Sequence, residues 1–252
     1  MRKQSCKAKT SIYNISLFTV GKNKLKKFAE NETFENLFQP SFDDVWRKDH
    51  PIKGKWNTSF FKNDNPIVLE LGCGKGEYTV NLAKMYPNKN FIGVDIKGAR
   101  LWTGAKDATE KQMENVAFVR TRIENIVSFF DKDEVSEIWI TFPDPQPRPA
   151  KARKRLSSSR FLTYYQQFAK PNAIIHLKTD SQGLHEYTKA LVEQNNLKVH
   201  FCTNDLYNSN IVDSILSIRT FYESMFLEQG KPITYLRFEL NTQAQLHEPE
   251  LE

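Results

Sequence analysis

From Ile67 onward, short apolar runs alternate with stretches of helical period. The runs are Ile67–Leu71, Phe91–Val94, Val116–Val119, Ile138–Phe142, Ala173–Leu177, Val199–Cys202 and Ile233–Phe238. They are short and several are β-branched, as strands covered on both faces tend to be. Helical candidates fall between them at Glu77–Tyr86, Ala99–Met113, Ile123–Phe130, Arg160–Ala169, Ser181–Gln194 and Thr220–Gln229. Strand and helix in repeated alternation predict βαβ units: an α/β fold with a mostly parallel, seven-stranded sheet and helices on both faces. That domain spans residues 67–241.

The flanks have a different texture. Residues 1–20 are polar and show no period that would dock them on a core, so they are expected to be a disordered or non-native extension. Lys22, Lys24, Lys26 and Lys27 form a basic stretch, and residues 31–64 are rich in Asn, Pro, Phe and Trp. The segment 21–66 therefore reads as irregular, basic and aromatic, and is expected to contact RNA. The acidic tail 242–252 is expected to fray.

Composition narrows the classes. With 252 residues, 39% of them apolar, the chain can bury one substantial core. Its 36 basic and 30 acidic residues leave +6, which argues for an acidic partner only if the charges cluster. Cys6, Cys73 and Cys202 are scattered without metal-ligand spacing, which predicts neither a disulfide framework nor a metal site and fits a reducing cytoplasm. The start resembles a signal peptide only superficially. Tyr13, Asn14 and Ser16 interrupt its apolar part, and no small-residue cleavage site follows.

Chemistry enters at the end of the first strand, which runs into Glu70-Leu71-Gly72-Cys73-Gly74-Lys75-Gly76 and then a helix. Glycines at Gly72, Gly74 and Gly76 permit a tight turn and a close backbone approach to a ligand. The spacing is G-x-G-x-G, not the G-x-G-x-x-G of dinucleotide binding, which disfavours a nicotinamide dehydrogenase. An acid beside the loop repels phosphate and suits a cationic ligand. The second strand ends on Asp95, placed to accept hydrogen bonds from ribose hydroxyls, although a helix N-cap would use the same residue. S-adenosylmethionine has a nucleoside, a sulfonium and an amino-acid end but no phosphate, and it accounts for both acids. After the third strand comes Arg122, whose backbone, with that of Ile123, is expected to serve the adenine.

The fourth strand ends Thr141-Phe142-Pro143-Asp144-Pro145-Gln146-Pro147-Arg148. The prolines stiffen the loop around Asp144 at the carboxyl end of a parallel strand, where α/β crevices open; a rigid surface turn has the same composition. Lys151, Arg153, Lys154, Arg155 and Arg160 follow with no acid among them. Beside a crevice such a run reads as a clamp on RNA phosphates, with a solvated loop as the plainer alternative. Lys178-Thr179-Asp180 ends the fifth strand, and Thr220-Phe221-Tyr222-Glu223 precedes the last. Thr220 with Glu223 three residues on also has the form of a helix capping box.

Together these residues resemble the bacterial tRNA (guanine-N7)-methyltransferase family over roughly residues 21–240. The most specific element is Phe142-Pro143-Asp144-Pro145 followed by the basic loop. The resemblance implies S-adenosylmethionine as cofactor and a guanosine in the tRNA variable loop as substrate. It implies cofactor contacts at Glu70, Asp95 and Asp144 and a catalytic role for Asp144. Substrate contacts are implied at Arg148, Asp180, Thr220, Phe221, Tyr222 and Glu223. Two positions depart from the pattern: Gln146 stands where the family usually has Trp, and Arg122 where it usually has Asp. A methyltransferase for another RNA or a small molecule, and a non-catalytic RNA-binding protein, are the alternative readings.

Overall fold

The computed structural model describes residues 14–209, 216 and 221–249. Residues 1–13, Thr220 and 250–252, on which expectations fell, lie outside the described residues. The strands are β1 (Leu37–Phe38), β2 (Ile67–Leu71), β3 (Asn90–Asp95), β4 (Val116–Arg120), β5 (Val135–Thr141), β6 (Ala169–Thr179), β7 (Val199–Thr203) and β8 (Thr234–Leu240). They form one sheet in the order β1-β4-β3-β2-β5-β6-β8-β7. All neighbours pair in parallel except β8, which runs antiparallel to both β6 and β7.

Side chains of the central strands alternate between two cores, as the two-residue period of a strand requires. Ile67, Leu69, Leu71, Ile92, Val94, Ala117, Val119, Ile138 and Ile140 enter one. Val68, Phe91, Val116, Phe118 and Trp139 enter the other. The first is covered by α5 (Ser159–Gln166) and α6 (Gln182–Gln194), which contribute Phe161, Leu162, Tyr165, Leu184, Leu191 and Val192. The second lies under α3 (Glu77–Met85) and α4 (Gly98–Glu110), through Val80, Leu82, Leu101 and Ala105. The side-chain oxygens of Ser158 and Ser181 cap α5 and α6 by accepting from the N–H groups of Phe161 and Leu184, each worth about 1 kcal/mol. Strands step outward from β2 through β3 to β4, then from β2 the other way to β5 and β6. The order reverses beside β2, and there the crevice opens above the strand ends.

Four expectations need correction. Among the described residues the sheet has eight strands, because the two-residue β1, too short to show a pattern, pairs with Phe118 and Val119 of β4. The segment Ile123–Phe130 holds a 3-10 helix, Ile123–Ser128, and not an α-helix. The flank before β2 is not irregular. It forms α1 (Asn14–Asn31), β1, α2 (Phe42–Val45) and a π-helical turn, Trp56–Phe61, and Val45, Ile52, Trp56 and Phe61 join the main core. α1 also takes in residues 14–20, where a disordered extension is expected from the sequence.

The described part of the tail, through residue 249, is likewise tied down. Glu248 accepts from the Ser159 N–H (3.1 Å) and hydroxyl (2.7 Å) and from the Tyr187 hydroxyl. Asn195 exchanges two hydrogen bonds with the backbone of His247. Among the described residues no helix is long and apolar enough to cross a membrane.

Candidate functional site at the carboxyl ends of the strands

β2 delivers Glu70 one residue before its end, with 3% of its surface exposed. Both carboxylate oxygens are held. Thr141 on β5 donates to Oε1 at 2.6 Å, and the Thr79 N–H donates to Oε2 at 2.8 Å, joined there by the Thr79 hydroxyl. Burial nonetheless pushes the Glu70 carboxyl up to about 7, the hydroxyl and amide donors opposing and the charge of Asp95 adding to the rise. Such a group passes between acid and carboxylate near neutrality, and a cation beside it would favour the carboxylate.

The loop after β2 turns on Gly72, Gly74 and Gly76, all in the left-handed region. Gly76 also has no room for a side chain, since a Cβ there would lie 2.5 Å from the Phe118 ring. Gly74 faces open space. Its N–H donates to Asp95 Oδ2 at 3.0 Å, and the Lys97 N–H donates to Oδ1 at 2.7 Å. Asp95 thus links the glycine loop to the end of β3 while lying in a pocket wall.

Two recesses meet at Gly72. The larger, of about 330 Å³, is lined by Asp95, Ile96, Thr121, Arg122, Ile123, Glu124, Lys154, Leu156 and Phe161. The smaller, of about 70 Å³, is lined by Glu70, Cys73, Gly74, Lys75, Glu77, Arg100, Thr141 and Phe142. The larger combines apolar Ile96, Ile123, Leu156 and Phe161 with the acids Asp95 and Glu124 and the bases Arg122 and Lys154; the smaller has the buried Glu70 carboxylate, Glu77 and two cationic residues in its wall. A nucleoside fits the first chemistry, and the amino-acid end of a cationic thioether derivative fits the second. Arg122 reaches the larger recess at the entry to the 3-10 helix, its residue exposed.

β5 ends at Thr141, and Phe142 follows at φ 46°, a left-handed value unusual for a bulky residue. Its N–H donates to the Lys178 carbonyl at 2.8 Å. Asp144 is exposed two residues beyond Phe142, which lines the smaller recess, and its Oδ1 accepts from the Gln146 N–H at 3.1 Å. Arg148 is exposed and begins the 3-10 helix Pro149–Lys154, which presents Lys151, Arg153 and Lys154 to solvent. Arg155 departs from the phosphate-clamp expectation. It is 6% exposed, its guanidinium donates to the carbonyls of Pro145 and Gln146 at 3.2–3.3 Å, and it lies 4.2 Å over the Tyr187 ring. Arg155 braces the loop that carries Asp144.

Asp180 lies just past the end of β6, half-buried, 3.8 Å from Lys231 Nζ. Phe221 and Tyr222 begin α7 (Phe221–Glu228), but their side chains, like Thr220, are outside the described part of the chain. Glu223 is not at the surface of the crevice. It is fully buried, with Oε1 2.8 Å from Lys178 Nζ and 2.6 Å from the Tyr207 hydroxyl.

Several supports carry no sequence signal: Thr79 and Thr141 around Glu70, Lys178 beneath Glu223, and the docking of α1. In that docking Asn31 donates to the Gly98 carbonyl at 3.0 Å, and Glu30 accepts from Trp102 (2.8 Å) and Lys106 (2.6 Å). Glu124, two residues beyond Arg122, also lines the larger recess, and its place just after the third parallel strand is the signal that could have found it.

The signature of a family described as "Putative methyltransferase" matches residues 64–236. A tRNA (guanine-N(7)-)-methyltransferase from Bacteroides fragilis is 53% identical over 233 residues, covering 92% of each chain. One of the same name from Christiangramia forsetii is 53% identical over 220 residues, 87% of this chain and 98% of its own. Among solved structures, the 16S rRNA methyltransferase KamB superposes with a TM-score of 0.57 at 12% identity, covering 78% of this chain and 98% of its own. At that identity the likeness establishes the methyltransferase fold alone.

Proposed function

The chain belongs to the tRNA (guanine-N(7)-)-methyltransferase family, and from that premise we propose that it methylates N7 of a guanosine in the variable loop of tRNA, using S-adenosylmethionine. One observation carries the reading: Lys154 of the exposed basic turn Arg148–Lys154 lines the larger acid-walled recess, while Thr141 and Phe142, which lead into Asp144, line the smaller. The bound cosubstrate supplies a methyl group already activated by its sulfonium charge.

The larger recess accepts the adenosine, with Asp95 on the ribose hydroxyls and the Arg122–Ile123 backbone at the adenine edge. Glu70 faces the ammonium of the amino-acid end, and its carboxylate form is the one that binds. Guanine N7 carries an in-plane lone pair and needs no deprotonation, so the residues chiefly fix the alignment of nitrogen, methyl carbon and sulfur. Positive charge grows on the guanine as the bond forms, and the carboxylate of Asp144 stabilises it. Asp180 accepts from guanine N1–H and the exocyclic amine, a donor pair adenine lacks. Arg148, Lys151, Arg153 and Lys154 hold backbone phosphates. The basic α1, which docks on the start of α4 through Asn31 and Gly98, extends that surface.

Incubating the purified chain with methyl-labelled S-adenosylmethionine and unmodified tRNA, then mapping the labelled nucleotide, tests this. Label on N7 of a variable-loop guanosine is expected. Label on ribosomal RNA instead, or on another base, rejects the assignment.

A further inference from the structure

Glu223 stands at a position expected to contact substrate, yet its carboxylate points into the protein. Lys178 and Glu223 are both fully buried, and Lys178 Nζ also donates to the Leu216 carbonyl at 2.9 Å. The Tyr78 and Tyr207 rings lie 5.5 and 5.9 Å from the same ammonium. A buried ion pair of this kind is weak evidence of stability, because both charges lose their hydration; its best-attested use is to fix a register.

The register in question runs through Phe142. The Lys178 carbonyl accepts from the Phe142 N–H, while the Lys178 ammonium holds Glu223. Glu223 and Phe226 are three residues apart on α7 and so share a face. The Phe226 ring packs on Phe142 with centroids 5.9 Å apart. The contacts close a circuit from Phe142 to Lys178, Glu223, Phe226 and back to Phe142. At the closing point the backbone is left-handed, φ 46°, and persists only if its surroundings hold it. Two residues later comes Asp144.

We propose that Lys178 and Glu223 are positioning residues: their pair docks α7 so that Phe226 and the Lys178 carbonyl together hold the Phe142 turn and aim Asp144, and Glu223 does not read the guanine. The consequence for methyl transfer rests on the tRNA reading above; the structural claim does not.

Two measurements on the full chain decide it. In hydrogen exchange, Glu223→Gln and Phe226→Ala should each speed exchange at least threefold across residues 140–147 and leave β3 and β4 unchanged. Unchanged exchange at 140–147 in both overturns the proposal whatever the activity. In single-turnover methylation, both variants should fall at least tenfold in rate, with tRNA affinity within about threefold of the parent. Their preference for guanosine over inosine at the target should equal the parent's. The rate loss in the double variant should be less than the product of the two, since both act through one turn.

Lys178→Met combined with Glu223→Gln removes both charges, so no buried ion is left unpaired. It should stay folded and stay slow; full recovery of rate would mean the pair serves only stability. If Glu223→Gln alone erases the guanosine preference while Phe226→Ala behaves as the parent, Glu223 reads the base and the proposal is wrong. A parent chain that methylates no tRNA guanosine defeats the functional reading, and the exchange result still decides the clamp.

Discussion

The two halves of the crevice are built by different means. On the β2–β3–β4 side, acids and glycines lie within a few residues of the strand ends they serve. Asp95 is fixed by two backbone N–H groups, and Glu70 by the Thr79 amide and two hydroxyls, only Thr141 coming from far along the chain. On the β5–β6–β8 side, Asp144 depends on Arg155, Lys178, Glu223 and Phe226, each from a different part of the chain except the last two, which share α7. The first half is a local device; the second is an assembly. A local device changes its affinity when altered, whereas an assembly loses the aim of one group while binding remains.

The sharpest test is Asp144→Asn, which keeps size and the bond to the Gln146 N–H but removes charge. A fall of roughly 100-fold or more in single-turnover rate is expected, on the scale of removing one transition-state-stabilising group, with tRNA affinity nearly unchanged. A near-parent rate would reduce Asp144 to a turn residue.

Next is the contrast between Arg155 and its neighbours. Lys151→Ala, Arg153→Ala and Lys154→Ala together should weaken tRNA binding and flatten its salt dependence, by a slope of roughly 0.7–0.9 for each phosphate no longer neutralised. Arg155→Ala should leave the salt slope alone and slow methyl transfer, because it unpins Pro145 and Gln146. Equal salt slopes for both sets of variants would erase the distinction drawn between them.

On the other half, Asp95→Ala should weaken S-adenosylmethionine binding about tenfold by calorimetry, through removal of the ribose hydrogen bonds and of the tie to Gly74. Methyl transfer at saturating cofactor should recover most of the parent rate. A rate that stays low at saturation would show that the halves are not separable.

The smallest effect is a pH dependence from Glu70. Its carboxyl is raised to about 7 from 4.5, so between those values the folded chain holds a proton that the unfolded chain has released. Stability of the free protein therefore falls as pH rises through that window. Affinity for a cationic ligand runs the other way, rising with pH and levelling above about 7. The span between pH 6 and 8 is at most about tenfold for one group. In Glu70→Gln both slopes should vanish; calorimetry and thermal melts at several pH values check them.

The same division explains what the sequence disclosed. The local half was legible: Glu70, the three glycines and Asp95 lie in one strand-loop-helix pattern followed by one strand end. So was the Phe142–Pro145 segment, as a segment. What supports it was not, because no short-range pattern distinguishes Arg155 from Lys154. Lys154 ends a 3-10 helix exposed, and Arg155, which caps that helix, turns inward. Glu223 looked like a capping or substrate residue because its buried partner, Lys178, lies 45 positions earlier in a strand where lysine is unexpected. The flank before β2 misled for another reason. Its aromatic residues, Trp56 and Phe61 among them, are spaced for a π-helical turn and loops, and no helix or strand period reveals their burial.

One ring near the glycine loop has a bearing on how this protein can change. A Cβ on Gly76, Gly93 or Gly104 would come within 2.5–2.8 Å of Phe118. The phenyl group thus fills space that three separate backbones leave vacant. None of those glycines is free to acquire a methyl group while the ring is present, and a smaller residue at 118 would leave a void bordered by all three. Inheritance at these positions is therefore joint: even with the ring trimmed, a Cβ would still lie 2.8 Å from the Thr79 hydroxyl at Gly93 and 2.8 Å from the Lys75 backbone carbonyl at Gly104, and Gly76 stays barred by its own backbone. Alanine at Gly93 thus calls for change at Thr79, a holder of Glu70, as well as at the ring.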